Sequence, residues 1–292
     1  MFILESHNLL PNTHFGGRPG HSTEDSLHLL ENTIRHTWRQ GQVISALFLD
    51  IEGVFSNVVT DHLIHNMKRH RLPPEIISFT SRMLHRRKTK LHFDDYTSEW
   101  FNITNSIRQG NPLSMILYII YNSDLVRTAT GKHELTLAFV DDTVFLPIGK
   151  MFQETHQILH DMLERSGGRF EWSTLHNSCF ALSKFMLIDF TMNRSKERPP
   201  LVVKGVTITP SPTHKFLGVI LDQELRWREH TSYATAKGAH YAMLLRRLSK
   251  TAQGVPTKLI CQLYQMVVIP WTLYTASVWL RPTYNTETDE AI

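Results

Sequence analysis

Apolar and polar positions change period several times along this chain, and each change marks an element. Leu27, Leu30, Ile34 and Trp38 recur at three and four residues, a helical stripe, and Ser22, Thr23, Glu24 and Asp25 ahead of it supply a capped start. Residues 1–22 show no such period and contain the loop Gly16-Gly17-Arg18-Pro19-Gly20-His21, so an irregular segment is expected there. The apolar run from Gln42 to Asp50 reads as a buried strand ending on an acid. Helices are expected over Asp61 to His70 and Pro74 to Arg86, then a hairpin over Lys88 to Phe93 and Trp100 to Asn105, with Asp94-Asp95 near its turn. Pro112 to Leu125 is apolar and long enough for a buried helix with proline in its first turn. A helix over Gln153 to Arg165, a strand over Ser178 to Phe190, and strand pieces over Leu201 to Thr209 and Lys215 to Leu221 follow. After Trp227 the pattern turns helical: Tyr233, His240, Tyr241, Leu244, Leu245 and Leu248 share one spacing, and Thr257 to Val268 is helical too.

One alternating stretch carries more than structure. Leu135 to Leu146 reads as two short strands around Asp141-Asp142. A single Asp is an ordinary turn residue, but two side by side repel unless a cation comes between them. A divalent metal is the natural counter-charge for such a pair. Asp50, at the end of its own strand, is the candidate third carboxylate. Three carboxylates in a cup suit two Mg²⁺ ions about 4 Å apart, the arrangement that clamps an in-line phosphoryl displacement.

Composition narrows the class. The chain has 292 residues, 41% apolar and 20% charged, enough for one large or two modest domains with a real core. Two cysteines, Cys179 and Cys261, are too few for a disulfide framework and lack metal spacing, so a reducing, intracellular setting is expected. The start lacks a basic signal-peptide region, and the longest apolar run, Met266 to Leu280, is broken by Pro270 and short of the ~20 residues a bilayer needs. The net charge of +4 is unevenly spread: residues 230–286 hold no Asp or Glu but several Lys and Arg, and a second basic cluster runs from Arg82 to Lys90. Two basic clusters flanking an acidic centre fit a polyanion gripped around a metal site.

Several segments then fall in a recognisable order. His14 to Thr23 resembles a first finger motif, Phe48-Leu49-Asp50-Ile51-Glu52-Gly53-Val54-Phe55 a motif A, and Arg108-Gln109-Gly110-Asn111-Pro112 a motif B. Ala138-Phe139-Val140-Asp141-Asp142 resembles a motif C, His176 to Lys184 a motif D, and Lys215 to Asp222 a primer-grip segment. On these motifs the chain, from Leu9 to Trp279, resembles the reverse transcriptase domain of non-LTR (LINE-type) retrotransposons, with a fungal character. Motif B departs from close relatives in carrying Asn111 where they have Asp.

The resemblance implies an α+β right-hand polymerase: fingers and palm, with an antiparallel sheet and packed helices, over 1–225, N-terminally truncated, and a helical thumb over 226–292. It implies an RNA-directed DNA polymerase that adds deoxynucleotides to a primer 3′-hydroxyl by two-metal phosphoryl transfer. The alternative it leaves open is a catalytically inactive nucleic-acid-binding remnant. RNA template, DNA primer, dNTPs and two Mg²⁺ ions, with Mn²⁺ a substitute, are the implied partners. No membrane role is expected, and the nucleus is the implied workplace if chromosomal DNA is primed. The upstream endonuclease of such elements is absent from this stretch, which reads as a polyprotein fragment.

By the same resemblance Asp50, Asp141, Asp142 and the Ile51 carbonyl would hold the metals, and Lys184 would hand a proton to departing pyrophosphate. Arg18 would reach the triphosphate, Phe55 would gate the incoming sugar, and Gln109 and Gly110 would lie under template and base. Arg86, Arg87 and Lys88, then Lys237, Arg246, Arg247 and Lys250, would touch nucleic-acid phosphates.

Overall fold

The computed structural model describes residues 1–193, 196–249 and 254–280. The chain divides into two compact units, Met1–Ser211 and Pro212–Ile292. Lys250 lies outside the described residues.

The first unit is built on a four-stranded antiparallel sheet. Its order is Met186–Phe190, Val43–Leu49, Asp142–Gly149, Glu134–Phe139. Every residue of Val43–Leu49 is buried, because this central strand is covered on both faces. Helix Thr23–Arg39 packs on this strand and on Glu134–Phe139, and helix Phe152–Glu164 packs on the strand and on Asp142–Gly149. The first helix starts where the sequence says it should: Ser22 and Asp25 form a reciprocal capping box. The second is tied to the sheet by a buried polar cluster, in which Asp189 Oδ1 accepts from Ser45 Oγ at 2.6 Å and pairs with His156 Nε2 at 3.0 Å.

A second core forms around helix Pro112–Arg127, whose residues Leu117 to Ser123 are all buried. It packs against helix Thr60–Arg69, which in turn meets Pro74–Leu84. The ribbon between these helices is two short ladders in line, Arg87–Thr89 with Phe101–Ile103 and His92–Phe93 with Tyr96–Thr97, with Asp94-Asp95 at the tip.

Three expectations need correction. Residues 1–22 are not wholly irregular, since Phe2–Ser6 is a helix that buries Leu4. Ser178–Phe190 is not one strand: Cys179–Phe180, a 3₁₀ turn over Leu182–Lys184, and Met186–Phe190 are separate pieces. A helix over Arg169–Leu175 stands where none is expected. It forms because Trp172 and Arg169 are buried together, a tertiary gain that a seven-residue pattern does not announce.

The second unit opens with a hairpin, Thr213–Phe216 paired to Val219–Asp222. Leu217 and Gly218 both take positive φ at its turn, the conformation that tight hairpins favour. Helix Arg228–Leu248 follows, and the Ile220 N–H donates to His230 Nδ1 at 3.2 Å, fixing hairpin to helix. The Asp222 carboxylate accepts from the backbone of Glu224, Arg226 and Trp227, holding the corner between them. Thr257–Leu263 continues through a π turn into Ile269–Thr272, which packs on the long helix. Gly238 permits that approach: a Cβ there would meet Thr272 Oγ1 at 2.5 Å.

Candidate active site

Strand register brings the acids together. Leu49 pairs with Thr143, so Asp50 and Asp142 follow as the next residues at the same end of two adjacent strands. Phe139 pairs with Asp142, leaving Val140 and Asp141 as a two-residue turn. Val140 holds φ at +61°, which is costly for a β-branched residue. Two contacts keep it there. Its side chain is buried, and its carbonyl accepts from Asn122 Nδ2 at 2.9 Å. Strained backbone held by its surroundings is typical of functional turns.

The electrostatics follow from that crowding. Asp142 is raised from 3.8 to about 6, first by partial burial and then by the charges of Asp141 and Asp50. Beneath the turn, the phenol of Tyr118 is pushed up by burial and by Asp141. Lys184, in its 3₁₀ turn, bonds Asp50 at 2.8 Å and Glu52 at 3.2 Å, and these bonds raise its own pKa. Among the described residues no three His, Cys, Asp or Glu side chains converge tightly enough to hold a metal as they stand. Asp50 is instead directed to the Lys184 ammonium.

A cleft of about 840 Å³ opens beside the turn, lined by Asp141 and by residues 53–56, 87–89, 103 and 106–109. Phe55 stands in its wall, its ring 5.7 Å from that of Tyr118 in a tilted contact. Gln109 faces the cleft, and exposed Gly110, at φ +82°, turns the chain into helix Pro112–Arg127. Asn111 caps that helix through its side chain, accepting from Leu113 N at 2.9 Å.

Asp50, Asp141, Asp142, Ile51, Phe55, Gln109 and Lys184 thus belong to one region of the first unit, the end of the central strands and the cleft beside it. Arg18 is differently engaged. Its guanidinium is buried, bonds both Glu5 oxygens at 2.9 and 2.7 Å, and donates to the Pro11 and His14 carbonyls. Arg87 is also held internally, by the carbonyls of Leu84, Asn105 and Ser106, although it lines the cleft. Arg86 and Lys88 are exposed, and in the second unit Arg246 and Arg247 are exposed while Lys237 is half-buried. Sequence reasoning missed Asn122 and Glu52. Asn122 sits inside a largely apolar helix, and an amide side chain in that run is the one signal the sequence offers.

The family model for reverse transcriptase (RNA-dependent DNA polymerase) matches residues 2–221. The chain belongs to the reverse transcriptase family. Among curated proteins it is 27% identical to the probable RNA-directed DNA polymerase from transposon X-element of Drosophila melanogaster, over 95% of this chain and 30% of that relative. It is 26% identical to the RNA-directed DNA polymerase from mobile element jockey of Drosophila funebris, over 76% of this chain and 24% of the relative. The chain therefore spans under a third of the length of these relatives. Among solved structures, apo telomerase from Candida tropicalis aligns with a TM-score of 0.52 at 12% identity, covering 72% of this chain and 36% of that one. Telomerase from Candida albicans, bound to a fragment of telomeric RNA, aligns with 0.51 at 10% identity over 94% of this chain and 46% of that one. These likenesses show the right-hand polymerase fold expected of a reverse transcriptase. Members of the family generally use divalent metal ions. No helix among the described residues is long and apolar enough to cross a membrane.

Proposed function

We propose that this reverse transcriptase domain is an RNA-directed DNA polymerase that extends a DNA primer with dNTPs. The observation that carries the reading is the placing of Asp50 against the Asp141-Asp142 turn at the mouth of a cleft large enough for a nucleotide. The donor set suits Mg²⁺, or Mn²⁺ in its place: hard carboxylate oxygens, of which Asp142 is raised to about 6 first by burial and then by the charges of Asp141 and Asp50, which a cation between them would offset. Asp50, Asp141, Asp142 and the Ile51 carbonyl are the residues that would hold two such ions, with Asp50 first leaving Lys184. The ions, when bound, lower the pKa of the primer hydroxyl and neutralise phosphate charge.

The chain's own groups supply the rest. Phe55 presents an aromatic wall to the sugar of the incoming nucleotide, so a 2′-hydroxyl meets the ring. Gln109 and Gly110 support the template and the nascent base pair, with Gly110 offering bare backbone. Lys184, freed from Asp50, is a proton source within reach of a departing pyrophosphate. Arg86 and Lys88 contact template or primer phosphates, and Lys237, Arg246 and Arg247 hold phosphates without reading sequence, as a sliding duplex requires. Arg18 reaches a triphosphate only if its pair with Glu5 opens, and Arg87 is the weakest of the proposed contacts because its donors are in use. If the primer is chromosomal DNA, the work is done in the nucleus.

The test is extension of a labelled DNA primer annealed to RNA, with the full chain. Template-directed incorporation that stops on chelation and resumes with Mg²⁺ is the expected result. Salt-sensitive binding of the primer–template without any incorporation would instead identify an inactive nucleic-acid-binding remnant.

A further inference from the structure

The second unit contains a cavity of about 490 Å³, of whose lining the reading above uses Lys237 alone. One wall is the Thr213–Asp222 hairpin, another is helix Arg228–Leu248, and the third is the segment around Trp271 and Tyr274. Among the described residues, no acidic one lines it. Two ammonium groups enter it from different elements. Lys215 comes from the hairpin, its Nζ 3.3 Å from the Tyr233 hydroxyl and 4.9 Å from the ring centre. Lys237 comes from the helix, its Nζ 4.0 Å from the centre of Trp271 and 5.6 Å from that of Tyr233.

Two cations flanking one phenol repel each other, and ring faces offset only part of that cost. The phenol itself registers both charges. Its pKa is lowered, first by the bond from Lys215 and then by the charges of Lys215 and Lys237. An anion between the two ammonium groups completes the arrangement. The remaining surface is aromatic: Trp271 is 50% exposed and Tyr274 is 41% exposed. Gly218 at the hairpin turn keeps Tyr274 in place, since a Cβ there would come within 2.9 Å of its ring. A ligand that is anionic at one end and a flat aromatic ring at the other matches both halves of the cavity.

We propose that this cavity takes one unpaired nucleotide of a nucleic-acid strand, its phosphate between Lys215 and Lys237 and its base against Trp271 and Tyr274. The inference rests on the nucleic-acid-binding reading and adds a specific demand to it: the second unit distinguishes a strand with an unpaired nucleotide from a continuous duplex. Stacking on protein rings tolerates any base, so the pocket grips without reading sequence.

The test compares three probes on the full chain: a short single-stranded oligonucleotide, the same strand with abasic sites, and a fully paired duplex. Trp271→Ala is expected to weaken the single strand by about tenfold, the worth of one stacked base, while leaving duplex affinity unchanged. The abasic strand should bind the unaltered protein about as weakly as the normal strand binds the variant. Trp271→Phe, which keeps a ring, should recover most of the loss and guards against misfolding. Lys237→Gln should weaken the single strand and reduce its salt dependence. Equal losses for single strand and duplex in Trp271→Ala, or abasic and normal strands of equal affinity, would overturn the pocket while leaving the general reading intact. A mononucleotide that competes as well as the strand would overturn the assignment to a strand. Failure of the unaltered protein to bind any of the three would overturn both.

Discussion

At the scale of single residues, the charges explain themselves through their neighbours. Asp142 keeps its proton to about 6 because it is partly buried beside two other carboxylates. Phe55, to which the resemblance gives the gating of the incoming sugar, leans on Tyr118 and also stands in the wall of the cleft. Changing Phe55 to Val is expected to raise ribonucleotide incorporation at least several-fold while deoxynucleotide incorporation changes little. Unchanged discrimination in single-nucleotide incorporation assays would remove its gating role. His14 is the clearest buried titrating group. It is fully buried, neither ring nitrogen has a hydrogen-bond partner among the described residues, and burial followed by the nearby Arg18 charge lowers its pKa to about 4. In the unfolded chain it takes up a proton near the ordinary value of 6.5, so between those values the folded form binds fewer protons. Stability attributable to His14 is therefore present above about 6.5 and falls away as pH drops through that window, by about 3 kcal/mol in all. His14→Leu should flatten this limb in urea unfolding measured from pH 7 to pH 4, and an unaltered slope would contradict the assignment. Nothing in the sequence marks His14 as buried among 17 histidines; that depends on its pairing beside Ala138 in the folded sheet.

At the scale of elements, what was legible followed from period and caps. The capped helix after Ser22, the apolar strand ending on Asp50 and the acidic hairpin all form where their patterns place them. What was not legible depends on distant partners. The Arg169–Leu175 helix exists to bury Arg169, whose guanidinium donates to the Thr128 and Met162 carbonyls and lies over the Phe145 ring. Desolvation lowers that Arg to about 9, a state no local pattern could have shown. The resemblance implies that Arg18 reaches a triphosphate and Arg87 a phosphate backbone; in the folded chain both guanidinium groups also donate to backbone carbonyls, contacts that depend on distant segments. The motif C turn depends on another element altogether, through Asn122. Asn122→Ala should leave the Val140 carbonyl unpaired, cost about 1 to 3 kcal/mol in stability and let the turn drift. Steady-state kinetics should then show kcat down roughly tenfold to a hundredfold with the nucleotide KM nearly unchanged, as misplacement rather than lost binding predicts. An equal rise in KM would assign Asn122 a binding role instead.

At the scale of the whole molecule, one antiparallel sheet presents three acids at one end, and a second unit carries basic and aromatic surface of its own. Charge distribution along the chain already separated these two characters, since residues 230–286 hold no acid. The family match over residues 2–221 and the right-hand polymerase fold agree with the order of motifs read from the sequence. Asp141 is the acid set at the tip of a strained turn and lining the cleft. The most direct measurement is extension of a DNA primer on an RNA template with Mg²⁺, comparing the unaltered chain with Asp141→Ala at matched folding by circular dichroism. Extension by the first and a loss of at least about a thousandfold in the second, with primer–template binding retained, is the expected result. Equal extension by both proteins would contradict it.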